Sequence, residues 1–239
     1  MDIKHKNITK PELAEFVGIM LGDGCCHRGS YQITISSGVI DGKYISEFIP
    51  NLIYNLFSKK VSFRKLAPGG IDCLFGSKDV CNLLNNEMYF KSPKINCKIP
   101  KKFFDEEKLL KACIRGLFDT DGGLHRHHKN SAQLKFTNKN HSLIDSLYKA
   151  LTQLGYNPCV TIDYKKKDTK AIYLFSKDVK KYFQEIGSNN PKNRIKYEFW
   201  INKGAVPLNK EIEDKIKLTT LEQEKLLGKK LLILKKSKF

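Results

Sequence analysis

Phe16-Val17-Gly18-Ile19-Met20-Leu21-Gly22-Asp23-Gly24 returns in altered form as Ile114-Arg115-Gly116-Leu117-Phe118-Asp119-Thr120-Asp121-Gly122. Each copy reads as an apolar helical run that ends in a carboxylate followed by glycine. A helix C-terminus already carries partial negative charge, so an aspartate there is locally unfavourable. Its recurrence at matched places in one chain implies something positive beside both carboxylates. A divalent cation is the natural candidate, because hard oxygen ligands suit magnesium or calcium. Gly18 and Gly22 are four apart, as are Gly116 and Thr120, so each helix has small residues on one face. Small residues at that spacing let two helix backbones approach closely. Helices packed through them bring Asp23 and Asp121 out side by side.

The two copies belong to a longer repeat. Tyr31-Gln32-Ile33-Thr34-Ile35-Ser36 parallels Ala132-Gln133-Leu134-Lys135-Phe136-Thr137, and Cys73-Leu74-Phe75 parallels Tyr173-Leu174-Phe175. Ser92-Pro93-Lys94-Ile95 answers Asn190-Pro191-Lys192-Asn193-Arg194-Ile195. A period near 100 residues is too long for a solenoid and fits a duplicated domain with an approximate two-fold axis. The division expected is a basic segment 1–10, repeats over 11–100 and 101–205, and a basic, partly helical extension 206–239.

The 239 residues carry 43 Lys plus Arg against 25 Asp plus Glu, a formal charge of +18. That excess favours a polyanionic partner. No apolar stretch is long enough to span a bilayer, and Met1 to Lys6 lacks the apolar core of a signal peptide. No membrane association and no secretion are expected; the expected location is cytoplasmic or nucleoid-associated, or an organelle matrix if organelle-encoded. The seven cysteines contain no C-x-x-C pair and read as reduced thiols serving mostly as small core residues. No zinc site is expected from them. His125 and His127 share a strand face while His128 points away, so the three make no compact ligand set.

Periodicity predicts α-β-β-α-β-β-α in each half. Helices are expected at 11–23, 44–57 and 77–86, then at 107–121, 141–154 and 177–186. Strands are expected at 25–28, 31–36, 61–64 and 71–75, then at 124–128, 132–138, 158–164 and 171–175. Residues 187–205 read as irregular, and Thr220-Leu221-Glu222-Gln223 as the capping box of a last helix.

With both motifs and the order of elements in hand, the chain resembles the LAGLIDADG homing endonucleases, in the single-chain form with two motif copies, over about residues 11–200. The resemblance implies an α+β fold of two pseudo-symmetric halves with saddle-shaped antiparallel sheets. It makes Asp23 and Asp121 the metal-binding acids and adds the backbone carbonyls of Gly22 and Thr120. It places a basic or amide helper at the end of the second strand of each half, where Asn138-Lys139 stands in one half, Lys139 being the candidate, and Ser36-Ser37-Gly38 stands in the other. Lys43 is the candidate to reach in from a loop instead. The first copy departs from the family by having Leu21 where Asp119 stands in the second.

Alternation along the strands puts Gln32, Thr34 and Ser36, Arg64, and Gln133, Lys135 and Thr137 on the faces opposite the apolar ones. With the net charge, those faces read as a surface for double-stranded DNA, with Lys165 contacting phosphate from a hairpin turn. The function expected is a site-specific endonuclease cutting both strands of a long pseudo-palindromic target. Its cofactor would be Mg2+, with Mn2+ substituting and Ca2+ supporting binding without cleavage. The alternatives are a maturase bound to intron RNA and a non-cleaving DNA-binding regulator. A monomer is expected, because one chain holds both halves. An intein endonuclease is disfavoured, since the chain opens on methionine without a flanking splicing block.

Overall fold

The computed structural model describes residues 10–27, 29–66, 69–88, 90, 94, 96–128, 131–162, 168–219, 222 and 225–226. The first half runs α1 (Pro11–Gly22), β1 (Gly24–His27), β2 (Gln32–Ser37), α2 (Ile49–Phe57), β3 (Ser62–Leu66), β4 (Gly70–Gly76) and α3 (Lys78–Asn82). The second runs α4 (Glu107–Asp121), β5 (Gly122–His127), β6 (Ser131–Asn138), α5 (His141–Gln153), β7 (Cys159–Ile162), β8 (Lys170–Phe175) and α6 (Ser176–Glu185). Each half is thus α-β-β-α-β-β-α, as the periodicity predicts. The sheets are wholly antiparallel, ordered β1-β2-β4-β3 and β5-β6-β8-β7. Their registers correspond: Gly24, Ile35, Cys73 and Phe63 align across one sheet as Gly122, Phe136, Ile172 and Val160 do across the other. Cys73 thus answers Ile172 and Leu74 answers Tyr173, one residue out of step with the sequence pairing of Cys73 with Tyr173.

The halves meet through α1 and α4. A Cβ on Gly18 would lie 2.1 Å from the Cys113 carbonyl oxygen, and one on Gly116 would lie 2.1 Å from that of Glu15. Only hydrogen fits at either place, so the two backbones run in direct contact. Arg115 crosses the seam to Glu15 at 2.5 Å. Leu13 to Gly22 are all buried, which explains why α1 has no polar face. Each helix also seeds its own half's core: Phe16 packs on Phe57 and Phe75, and Phe118 on Phe136 and Tyr182. Of the cysteines, Cys26, Cys73, Cys81, Cys97 and Cys113 are buried, in keeping with their reading as core residues.

Three elements differ from expectation. The helix expected from residue 44 starts as a π-helical turn, Tyr44–Phe48, before α2. Pro50 stands in the first turn of α2, where its missing N–H is not needed, and the wider turn ahead makes room for its ring. The helix expected at 77–86 likewise opens into a π-helical turn, Leu83–Glu87, after α3. The stretch 187–205, expected to be irregular, holds α7 (Pro191–Lys203). Asn190 Oδ1 accepts from Lys192 N at 3.0 Å, Pro191 occupies the first turn, and Gly204 at φ +73° ends the helix. Its apolar residues show no helical period because it buries Asn193 and Lys196 alongside Trp200.

Beyond α7, a 3₁₀ turn (Asn209–Ile212) and α8 (Glu213–Ile216) carry the chain back onto the first half. Val206, Ile212, Ile216 and Leu218 are buried there, and a Cβ on Gly42 would lie 3.0 Å from Leu218 Cγ. Thr219 and Glu222 cap each other reciprocally. Thr220, Leu221 and Gln223 of the expected box, and the basic end 227–239, lie outside the described residues.

Candidate functional site

Because α1 and α4 run in contact, their last residues are neighbours. A Cβ on Gly22 would lie 2.0 Å from Thr120 Oγ1 and 3.5 Å from the carboxyl carbon of Asp121. Asp23 follows Gly22 directly, so the two carboxylates stand together and keep partial access to solvent. Burial, then the charge of Asp121, pushes the Asp23 carboxyl up to about 7. Burial also raises Asp121, against the pull of Lys94 and of a bond from Asn138.

The sequence reading looked for the compensating positive charge outside the chain, and the structure supplies one within it. Lys94, from the segment joining the halves, directs its ammonium at the Gly22 carbonyl oxygen and lies 3.5 Å from that of Met20. Its charge acts on Asp23 and Asp121 alike. Lys192 also acts on Asp23, but it is held at 2.7 Å by Asp41, a carboxylate contributed by the 3₁₀ turn Val39–Asp41. Lys196, one turn further along α7, donates to the Leu124 carbonyl at 3.3 Å. Burial, then the charge of Lys192, lowers its ammonium to about 8.

A signal for these lysines was present in the sequence. Pro93-Lys94 and Pro191-Lys192 are matched pairs, each lysine 71 residues beyond its aspartate (94 − 23, 192 − 121). The pairing was visible, but nothing in one dimension shows that the chain folds back 71 residues later to the helix ends.

Lys139, expected as the helper beside Asp121, is exposed and makes no hydrogen bond or ion pair among the described residues. Its neighbour Asn138 takes that place, donating from Nδ2 to Asp121 Oδ2 at 2.6 Å. Strand alternation accounts for the correction: Asn138 and Lys139 are consecutive, so only one of them can face the helix ends. Lys43 does not enter the site from its loop either; Asp41 does, and Lys43 stands toward Glu222, whose carboxyl is lowered first by the bonds from Thr219 and only then by the charge of Lys43. The Thr120 hydroxyl is turned back to the carbonyls of Gly116 and Leu117 at 3.1 and 3.0 Å, which leaves its backbone carbonyl as its expected contribution.

On the open sheet faces, register aligns Gln32, Ser36 and Arg64 in the first half and Gln133, Lys135 and Thr137 in the second. Thr34 shares the first face but is 5% exposed, flanked by Cys25 and Leu74, and its hydroxyl has no partner among the described residues. A residue so covered does not meet DNA directly. Lys165 lies outside the described residues.

Asp119, the motif acid that Leu21 replaces in the first copy, holds the segment ahead of α7. It accepts from the Ser188 hydroxyl, from the N–H groups of Asn189 and Asn190 at 2.6 and 3.1 Å, and from Asn193 Nδ2 at 3.4 Å. Burial pushes it up to about 7 against those bonds. Asn190 in turn donates to Asp41 at 2.6 Å. The chain from Asp119 through Asn190 and Asp41 to Lys192 therefore fixes one side of the site. Leu21 at the matching position of the first motif offers no such acceptor.

Among the described residues no three His, Cys, Asp or Glu side chains gather into a metal-holding cluster. The donors on offer are two carboxylates and the carbonyls just before them. This is a set of hard oxygens with few protein ligands, and it fits a cation that completes its shell with water and phosphate, as magnesium does.

An α+β molecule of two matched halves, packed through glycine-faced helices that end in paired aspartates, has the LAGLIDADG fold with both halves in one chain. Residues 108–187 match the LAGLIDADG-like domain family. The homing endonuclease I-DmoI, solved in complex with DNA and Mn, superposes with a TM-score of 0.55 at 19% identity, over 74% of this chain and 96% of that one. The N-terminal LAGLIDADG domain of DUF199/WhiA superposes equally well, with a TM-score of 0.55 at 18% identity over 77% and 88%. A curated relative is the replication factor C small subunit of Methanocaldococcus jannaschii, 24% identical over 220 residues. That match covers 90% of this chain and 11% of the length of that protein.

Proposed function

We propose that the protein is a site-specific, divalent-metal-dependent DNA endonuclease that cuts both strands of a long, imperfectly palindromic site as a monomer. The observation that carries this reading is the pairing of Asp23 and Asp121 at the joined ends of α1 and α4, where a pure binding protein has no use for adjacent carboxylates. Asp23, Asp121 and the carbonyls of Gly22 and Thr120 would hold the cation, Mg2+ or Mn2+, with Ca2+ supporting binding alone. When bound, it supplies Lewis-acid activation of water and neutralisation of phosphate charge.

The chain's own groups do the rest. Asn138 fixes the orientation of the Asp121 carboxylate. Lys94 and Lys192 place ammonium groups where negative charge gathers on a scissile phosphate. The open sheet faces set the register of the duplex, since two-stranded ribbons fit the major groove. The proposed location is cytoplasmic or beside the nucleoid.

A second reading is a DNA-binding regulator, and one observation favours it: Lys94 already supplies positive charge at the Gly22 carbonyl. Incubation with a randomised duplex library and Mg2+, followed by sequencing of cut ends, separates the two. Recurrent paired breaks within one motif support cleavage. Enrichment of a motif without breaks, in Mg2+ and Mn2+ alike, supports the regulator.

A further inference from the structure

Matched registers allow the two open sheet faces to be compared position by position. His27 and Gln32 pair across β1 and β2 as His125 and Gln133 pair across β5 and β6. At these places the halves carry the same chemistry. Elsewhere they diverge. Arg64 and Asp72 of the first sheet stand where Thr161 and Ala171 stand in the second, and Leu74 and Gly76 where Tyr173 and Phe175 stand.

The divergent positions are organised, not merely different. Asp72 is 1% exposed and accepts from Ser36 at 2.7 Å and from Arg64 Nε and Nη2 at 3.0 and 2.6 Å. A buried carboxylate thus grips one edge of a guanidinium that is itself 54% exposed. Among the described residues no other group bonds to this guanidinium, so its Nη1–Nη2 edge is open to a ligand. That edge is the fork that matches O6 and N7 of guanine. In the second sheet, Tyr173 and Phe175 lie parallel at 6.0 Å, His127 adds its ring 5.0 Å from Phe175, and Lys135 stands 5.6 Å from the Tyr173 ring. Phe175 is 37% exposed on this open face. An apolar wall with a cation beside it suits the one base whose major-groove edge carries a methyl group, thymine.

Building on the proposed DNA-binding function, we infer that the target has half-sites alike where Gln32 and Gln133 read, and unlike beside them. One half presents a guanine to Arg64, and the other presents thymine to the Tyr173–Phe175 wall. The shared glutamines ask for adenine at equivalent places in both halves.

Selection of randomised duplexes by binding in Ca2+, read by sequencing, gives the motif. The expected motif is a pseudo-palindrome with shared adenines, guanine in one half only and thymine in the other. Three follow-up measurements use the selected duplex. Deoxyuridine for thymidine in the thymine half removes only methyl groups and should weaken binding about fourfold per contacted methyl. Deoxyuridine in the other half should leave affinity unchanged. Arg64→Lys keeps the ion pair with Asp72 but loses the fork, so the guanine preference should drop by about 5- to 100-fold with the rest of the motif intact.

If no duplex is enriched, the DNA-binding reading itself fails. A selected motif that is fully palindromic, or indifferent to uracil and unchanged by Arg64→Lys, overturns the inference and leaves the DNA-binding reading standing.

Discussion

Asp23 carries both the chemistry and the pH dependence expected of this site. To ligate a cation it must be ionised, and its carboxyl is raised to about 7 by burial and by Asp121. Below that value the proton competes with the metal, so Ca2+ affinity should fall roughly tenfold per pH unit as pH drops under 7, and level off above it. Calorimetric titration between pH 5.5 and 8.5 checks this, and Asp23→Asn should flatten the profile. Asp23→Asn and Asp121→Asn should each abolish double-strand cleavage while leaving most DNA affinity, as gel-shift and cleavage on one duplex would reveal. Full cutting by either variant would remove the metal assignment. Lys94→Met frees the Gly22 carbonyl and deletes a competing charge, so it should raise Ca2+ affinity at least fivefold, seen as a larger Ca2+-induced rise in Tm. An unchanged Ca2+ response would mean that Lys94 and the cation do not compete. Lys139, exposed and without an ion pair among the described residues, should act only as a phosphate contact, so Lys139→Ala should slow neither strand selectively.

At the scale of elements, the α1–α4 seam is the least tolerant part of the molecule. Gly116→Ala would press a methyl group against the Glu15 carbonyl, where a Cβ has 2.1 Å. Neither backbone can yield without separating the helices, and the cost should be about 3 kcal/mol. Because the same seam sets the spacing of the two aspartates, metal affinity should fall along with stability; urea denaturation with and without Ca2+ measures both. The element the sequence did not reveal, α7, illustrates why periodicity has limits. Its buried positions are polar because they hold other polar groups: Asn193 serves Asp119, and Lys196 serves the Leu124 carbonyl. Its boundaries, Asn190-Pro191 at one end and Gly204 at the other, were legible, but as punctuation without the apolar rhythm between them.

For the molecule as a whole, the +18 charge and the two open sheets predict steep salt dependence. Neutralising about 6–10 phosphates releases as many counterions, so affinity should fall roughly 10³–10⁵-fold between 50 and 200 mM salt. A fluorescence-anisotropy titration series in salt gives the slope, and a nearly flat response would mean that the charge is solvated surface. The fold is shared with I-DmoI and with a LAGLIDADG domain of WhiA at equal TM-score, so it assigns no activity and the proposed one rests on the site.

The amino-acid sequence by itself determined the duplication, the α-β-β-α-β-β-α order, the glycine-faced helices and the two aspartates. All of these rest on local periodicity and on residues compared with their own repeat. The tertiary structure alone decided which groups surround those aspartates. Lys94 and Lys192 arrive from 71 residues downstream, Asp41 from a short 3₁₀ turn, and Asn138 displaces Lys139 by one step of strand alternation. The physical reason is that a site is assembled across elements. Charge, burial and hydrogen bonding act through space at a few ångströms, while sequence pattern reports only which face of its own element a residue occupies.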